Sequence, residues 1–295
     1  MNPNATTAGS VLAGAARIAG FGAAGAELIR DGSNVMYRLP SGVVARIGRP
    51  GTGDTARREV LVSRWLDEAG LPAVRALADA PQPVMIGDRP VTWWVALPAH
   101  RPATPAELGA VLGRFHSLPA PRIPGLPRHD PFIDLDRRIG LATALDPGDR
   151  TWLERHLGEL ERRYQDFADA GPTGVIHGDA WQGNVAVPET GRPILLDLEM
   201  VSFGRYDWDL VQVAVDHTDF ARITTSEYES FVAGYGGYDV TRTPGYRTLA
   251  DIQELRWVAF ALSKVGTRPE AAAQARHRIA CLRGDVSRPW SWSAL

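Results

Sequence analysis

Residues 175–187 read Val-Ile-His-Gly-Asp-Ala-Trp-Gln-Gly-Asn-Val-Ala-Val, and residues 194–199 read Ile-Leu-Leu-Asp-Leu-Glu. Each stretch is a short aliphatic run that leads into a carboxylate, Asp179 in the first and Asp197 in the second. Runs of this kind bounded by polar residues and glycine read as strands. The two strands are expected to pair, which puts Asp179, Asn184 and Asp197 at one end of a hairpin, within reach of a common ion. Mg²⁺ takes hard oxygen ligands and normally keeps some waters and phosphate oxygens, so an Asp and an Asn leave it room for a nucleotide. Any one of these residues would serve equally well as a turn former. It is the whole arrangement that points to chemistry.

Upstream, Glu27–Asp31, Val35–Leu39 and Val43–Ile47 read as three strands joined by Asp31-Gly32-Ser33-Asn34 and Pro40-Ser41-Gly42, an antiparallel meander. A helix is predicted over Thr55–Ala69, with Leu61, Val62, Trp65, Leu66 and Ala69 on one stripe and Gly70-Leu71-Pro72 as its stop. Two more strands are expected at Val84–Ile86 and Val91–Leu97. Pro98-Ala99-His100-Arg101-Pro102 then breaks the pattern, and a lobe boundary is placed there, giving lobes of residues 1–98 and 99–295. Residues 1–20, rich in small residues, read as a lead-in or a short helix.

Thr104-Pro105-Ala106-Glu107 carries a capping box with proline at the first helical position, followed by the stripe Leu108, Val111, Leu112, Phe115 and Leu118. A proline-rich loop over Pro119–Pro131 precedes a helix over Asp149–Ala168. Strands at Val175–Ile176, Val185–Val187 and Ile194–Leu196 follow, the last two joined by the turn Pro188–Arg192. Beyond Asp207 the chain reads as mostly helical to Arg283. The expected fold class is α+β, with a small β-rich lobe before a larger helical one.

Composition narrows the function. With 44% hydrophobic and 22% charged residues the 295-residue chain is an ordinary globular protein, and a formal net charge of −2 gives no reason to expect a nucleic-acid or membrane-surface partner. Lys264 is the only lysine, in Ala-Leu-Ser-Lys-Val-Gly, so Walker-type loops and lysine Schiff bases are unlikely routes. Cys281 stands alone, which excludes an internal disulfide. With no basic leader and no apolar run of spanning length, a cytoplasmic location is expected.

The pattern His177-x-Asp179-x-x-x-x-Asn184, followed by Asp197-Leu198-Glu199, resembles the catalytic and metal-binding loops of the aminoglycoside phosphotransferases, which share the protein-kinase-like fold. The resemblance implies a bilobal kinase-like protein that moves the γ-phosphate of ATP or GTP to a hydroxyl. Asp179 is then the base, Asn184 and Asp197 the Mg²⁺ ligands, His177 a structural hydrogen-bonder, and Asp209 a support for the catalytic loop from the next helix. Ser33 and Asn34 lie in a turn that would close over phosphates, although by itself it is only a hairpin turn. Arg46 stands where the family carries a phosphate-binding lysine, and Glu59 is its expected partner. Leu97 and Ala99 flank the backbone groups expected to hold the purine.

The acceptor stays open. Asp216, Asp219, Glu227, Glu229, Asp251 and Glu254 are acidic candidates on the helical half, and Trp181, Glu254 and Trp257 are the provisional acceptor residues. An aminoglycoside or other hydroxylated antibiotic, a metabolite such as a sugar, amino sugar or amino alcohol, and a silent nucleotide-binding pseudokinase are the three readings.

Overall fold

In the computed structural model, described over residues 7–142, 145–167 and 171–295, helices and strands run in the expected α+β sequence. In chain order they are α1 (Ala8–Ala19), β1 (Glu27–Asp31), β2 (Val35–Arg38), β3 (Val43–Ile47), α2 (Gly53–Glu68), β4 (Val84–Ile86), β5 (Arg89–Val95), β6 (His100–Pro102), α3 (Pro105–His116), α4 (Leu135–Gly140), α5 (Pro147–Gln165), β7 (Thr173–Ile176), β8 (Val185–Pro188), β9 (Ile194–Leu195), β10 (Ser202–Arg205), α6 (Asp207–Thr218), α7 (Thr225–Tyr235), α8 (Tyr246–Lys264) and α9 (Ala271–Arg283). The expected helix end at Ala168 and the first six residues of the lead-in lie outside the described residues.

The chain divides into two compact units. The first takes the described residues of Met1–Ala103 together with Ser117–Pro127 and Gln182–Ser202, and the second takes Thr104–His116, Arg128–Trp181 and Phe203–Leu295. This differs from a single cut after residue 98. The reason is hydrogen bonding: His100–Pro102, expected to be a break, is a strand that pairs with β8, and β8 pairs in turn with β9. Leu195 also exchanges backbone bonds with Pro72 and Val74, tying β9 to the chain after α2.

In the first unit the sheet has the order β1-β2-β3-β5-β4, with the first three strands forming the expected meander. Alternation along each strand sorts residues onto two faces. Ala45, Ile47, Val91 and Trp93 pack with Val11, Leu12, Ala15 and Ala16 of α1. Thr7 caps α1 and Gly20, at φ 77°, ends it, so the small-residue lead-in is a helix that covers this face. Val44 and Trp94 lie on the opposite face with Val60. The same alternation puts Arg46 beside Val44 rather than under α1. Helix α2 buries Glu59, Val60, Val62, Ser63 and Leu66, while Leu61 and Trp65 are only half-buried. Its inward face is thus turned toward the polar partners of Glu59 and Ser63, and the expected apolar stripe is off by one position.

In the second unit α3 opens with the anticipated box: Thr104 N–H donates to Glu107 and Glu107 N–H to the Thr104 hydroxyl. α3 packs tightly along α7, and α8, buried at twelve positions, is the central helix against α4, α5, α6 and α9. Strand β7, which leads to Asp179, pairs with β10. The expected pairing of this strand with the one leading to Asp197 is therefore corrected: β9 takes β8 as its neighbour, and β7 takes a strand the sequence did not announce.

Candidate active site

The first unit holds a cavity of about 720 Å³. Met36, Val44, Val74, Trp94 and Leu97 supply apolar lining, and Ser33, Asn34, Arg46, Glu59, Asn184, Asp197 and Glu199 supply polar groups. The segment after β5, Leu97-Pro98-Ala99, also lines it. All eight residues that the sequence assigned to nucleotide and metal are in this one cavity.

The hairpin explains how Asn184 and Asp197 meet there. Val185 sits opposite Leu195 in the β8–β9 ladder, and the Leu196 N–H donates to the Asn184 carbonyl at 2.9 Å, so the two strands stay paired up to the residue before Asp197. Asp197 then turns the chain with φ 50°, a left-handed conformation that a short polar side chain tolerates better than most. Such strain, of order 1–3 kcal/mol, persists where the surroundings over-determine it.

Arg46 organises the charges. Its guanidinium is ion-paired to buried Glu59 from α2, donates to Glu199 at 2.7 Å and lies 3.8 Å from Asp197. Asn34 adds an N–H to Glu199 at 3.2 Å, and Arg49 approaches the same carboxylate at 3.7 Å. Burial alone would lower the Arg46 pKa, but Glu59, Asp197 and Glu199 together hold it above its ordinary value. Burial pushes the Glu59 carboxyl up to about 7; Arg46 draws it down only in part, because Asp197 and Glu199 oppose it. Three carboxylates thus surround the Arg46 guanidinium, with Arg49 at the outer edge of Glu199. Glu199 closes the motif Asp197-Leu198-Glu199 and is bonded by both Arg46 and Asn34. Its signal was its place two residues after Asp197.

The second unit holds the other half of the motif. Asp179 is exposed between buried Gly178 and Ala180. Asp209, buried in the first turn of α6, accepts the backbone N–H groups of His177 at 2.6 Å and Gly178 at 2.8 Å, while Trp208 donates its indole N–H to the Gly178 carbonyl at 3.1 Å. The loop before Asp179 is therefore gripped from both sides by consecutive residues of one helix. Burial opposes ionisation of Asp209, yet the bonds from His116 and His177 outweigh it and keep the carboxyl below the ordinary range. His177 is fully buried, with its Nδ1 facing the Asp179 N–H at 3.4 Å.

The provisional acceptor residues fare differently. Trp181 is 44% exposed. Glu254 is 1% exposed and is held by Arg247 at 2.7 Å and Arg288 at 3.4 Å. Trp257 packs edge-on against Phe220 and Trp292, within the aromatic cluster that docks the chain end. Among the other acidic candidates, Asp216 pairs with Arg222, Asp219 with Arg247 and Arg288, Asp251 with Arg163 and Arg247, and Glu227 closes the capping box of α7.

The family model of the phosphotransferase enzyme family matches residues 26–278. A search of curated protein sequences returns no match. Among solved structures the chain is similar to an amicoumacin kinase in complex with AMP-PNP and Ca²⁺ (17% identity, 94% of this chain and 93% of that one, TM-score 0.74). It is also similar to a choline/ethanolamine kinase family protein from Mesorhizobium loti (18%, 93% and 92%, 0.66) and to an aminoglycoside phosphotransferase from Streptomyces rimosus (20%, 79% and 93%, 0.60). These identities speak to the fold, and the matched family model speaks to the chemistry. The chain belongs to the phosphotransferase enzyme family, and it is a phosphotransferase with an alcohol group as acceptor.

Proposed function

We propose that the protein transfers the γ-phosphate of ATP or GTP to a hydroxyl of an aminoglycoside or another hydroxylated antibiotic or natural product, with Asp179 as the base. The observation that carries this reading is the single cavity lined by Arg46, Asn34, Asn184 and Asp197 beside the apolar Val44, Val74, Trp94 and Leu97. It offers an apolar bed for a purine and a cation with hydrogen-bond donors for phosphates. Arg46 has five N–H donors, and Glu59 and Glu199 do not exhaust them, so phosphate oxygens can share the guanidinium.

Asn184 and Asp197 fit a Mg²⁺ ion by the chemistry of their donors, one amide oxygen and one carboxylate in the same cavity. Among the described residues no three His, Cys, Asp or Glu side chains form an ion cage, which suits an ion whose remaining ligands are waters and nucleotide oxygens. When bound, the ion would neutralise charge on the β- and γ-phosphates. An amicoumacin kinase of the same fold bound to AMP-PNP and Ca²⁺ supports this pairing of nucleotide with divalent ion. Asp179, exposed on a loop whose backbone Asp209 fixes, orients the acceptor hydroxyl and takes its proton. Phosphoryl transfer asks little more of the protein than positioning and charge neutralisation.

One observation favours a second reading, a metabolic kinase for a sugar, amino sugar or amino alcohol. Asp216, Asp219, Asp251 and Glu254 are all engaged by arginines, so they do not form an open carboxylate cage for a polycation. The test is a coupled phosphate-transfer assay with ATP and GTP, with and without Mg²⁺, against pooled aminoglycosides, other hydroxylated antibiotics, sugars and amino alcohols. Turnover with one pool, abolished by Asp179→Ala, establishes the base and names the acceptor class. Turnover retained by Asp179→Ala would overturn the assignment of the base. Absence of Mg²⁺-nucleotide binding would overturn the donor site.

A further inference from the structure

Arg138 of α4 and Arg256 of α8 are half-buried arginines on two helices that pack together in the second unit. Among the described residues neither forms an ion pair with a carboxylate. The acids around them have other partners: Asp134 takes Arg137 at 3.1 Å, and Asp130 accepts the Phe132 N–H at 2.9 Å. Arg256 spends one of its five N–H groups on the Pro131 carbonyl at 3.0 Å.

The place of Arg256 is fixed by the loop that carries Asp179. Its guanidinium lies over the Trp208 ring, 5.5 Å from the centroid, and Trp208 donates its indole N–H to the Gly178 carbonyl at 3.1 Å. One indole therefore joins the cation to the residue before Asp179. His129 tilts over the same indole at 4.6 Å, and burial with Arg256 pushes it down to about 4, so it adds no charge near neutral pH.

Packing alone does not account for two arginines here. One guanidinium laid on an indole covers an apolar ring at little cost. A second of like charge in the same half-buried place is unfavourable unless an anion joins them. The balance on Arg256 shows this: burial and then Arg138 lower its pKa, and Asp179, Asp130 and Asp134 do not make up the difference. Arginine forks suit the paired oxygens of a carboxylate or a phosphate. The acids of α6 and α8 that a polycation would need are meanwhile held by other arginines.

We propose that Arg138 and Arg256 form an oxyanion-binding site beside Asp179, and that the acceptor alcohol carries a carboxylate or phosphate that docks there. This deepens the reading of Asp179 as the base and rests on it, since only then does the reacting hydroxyl lie at this loop. The acceptor oxygen bonds the γ-phosphorus as the bond to the β-phosphate oxygen breaks, its proton passes to Asp179, and the nucleoside diphosphate leaves. The arginines hold the acid group throughout and exchange no proton. Sugar acids and sugar phosphates fit this description, and polycations do not.

The test is calorimetric titration of the full chain, without nucleotide, with matched probes. Gluconate against sorbitol reports a carboxylate, and glucose 6-phosphate against glucose reports a phosphate. At least one acid is expected to bind on the order of tenfold more tightly than its neutral counterpart, and Arg138→Gln and Arg256→Gln should each abolish that preference. Equal binding of acid and neutral probes by wild type overturns the proposal, as does a preference that survives both substitutions. If Arg256→Gln does not fold, Arg138→Gln decides. In the transfer assay the KM of an acidic acceptor should rise on the order of tenfold in Arg138→Gln while Mg²⁺-nucleotide affinity holds. A fall in kcat alone would assign the arginines to the transferred phosphoryl group and overturn the proposal, and so would a neutral or cationic acceptor with unchanged KM. Asp179→Ala turnover tests the base separately: arginine-dependent anion binding with turnover retained in Asp179→Ala would keep the anion site and overturn its place beside the reacting hydroxyl.

Discussion

Asp209→Asn keeps the shape of the side chain and removes its charge. In the wild type, Oδ2 accepts from His177 N at 2.6 Å and His116 Nε2 at 3.0 Å, and Oδ1 accepts from Gly178 N at 2.8 Å. A carboxamide has one oxygen. Whichever way it turns, its NH₂ faces a donor that cannot retreat, and at least one buried backbone amide is stranded. Leaving such a group unsatisfied costs about 1–3 kcal/mol, and reducing the surviving bonds from charge-assisted to neutral removes about another 1 kcal/mol. Against this stands the relief of not burying a charge. That relief is the smaller effect, because the Asp209 carboxyl lies below its ordinary range in spite of its burial. The expected net loss is about 3 kcal/mol, or roughly 6–12 °C in Tm for a unit of this size.

The sign with pH follows. A depressed carboxyl contributes stability that is full above its unfolded value, near 4, and fades as pH falls through the folded value. The gap between wild type and Asp209→Asn should therefore be constant from about pH 5 to 7 and close in acid. Denaturant unfolding at pH 7 and in steps from pH 4 downward measures it, the gap narrowing only below the unfolded value, and turnover at pH 7 should fall while Mg²⁺-nucleotide affinity holds. A gap under about 1 kcal/mol at pH 7, or one that does not close in acid, would refute the reasoning.

Arg46→Ala leaves Glu59, Asp197 and Glu199 without their shared cation, and calorimetry should show Mg²⁺-nucleotide affinity falling by on the order of tenfold or more, with partial recovery in Arg46→Lys. Equal affinity in Ala and wild type would remove Arg46 from the nucleotide site. Burial pushes His129 down to about 4, with Arg256 acting in the same direction, so the folded chain keeps it neutral where the unfolded chain protonates it. Stability should fall from about pH 6.5 toward pH 4, by at most ~3 kcal/mol from this group, and His129→Phe should flatten that limb in pH-resolved unfolding. Gly109→Ala gains up to about 1 kcal/mol of helix propensity but drives a methyl into the Phe231 carbonyl, and overpacking of about 1–3 kcal/mol should win. A Tm equal to or above wild type would show that α3 and α7 can separate freely.

Some of this was legible in the sequence. That Asn184 and Asp197 meet in one cavity could be read from their spacing, since they flank the two strands of one hairpin. The meander was legible because Asp31-Gly32-Ser33-Asn34 and Pro40-Ser41-Gly42 are turns whatever lies around them. The choice of strand partners was not. Alternation says which face a residue takes but not which strand lies alongside, and β7 found β10 while β9 found β8 and the segment after α2. Pro98–Pro102, with a proline at each end, reads as a break in sequence, yet His100–Pro102 is a strand. As an edge strand bonded only to β8, it tolerates that proline.

Charged residues were the hardest to read, for a physical reason. The value of a carboxylate depends on what it meets, and the meeting is long-range: Arg46 reaches Glu199 across 153 positions, and His116 reaches Asp209 across 93. A sequence motif can find residues that act together within one loop. It cannot find His116, which stands after Phe115 at the end of an ordinary amphipathic helix and carries no local signal. The same blindness worked in reverse for Glu254 and Trp257. An acid and an indole three residues apart on a C-terminal helix look like an open site, yet Arg247 and Arg288 close on the first, and Phe220 and Trp292 on the second. The pairing of buried Glu254 and the ring contacts of half-buried Trp257 hold α8 to its neighbours and to the docked chain end. Of the three provisional acceptor residues, Trp181, two residues beyond Asp179, is the most exposed, at 44%.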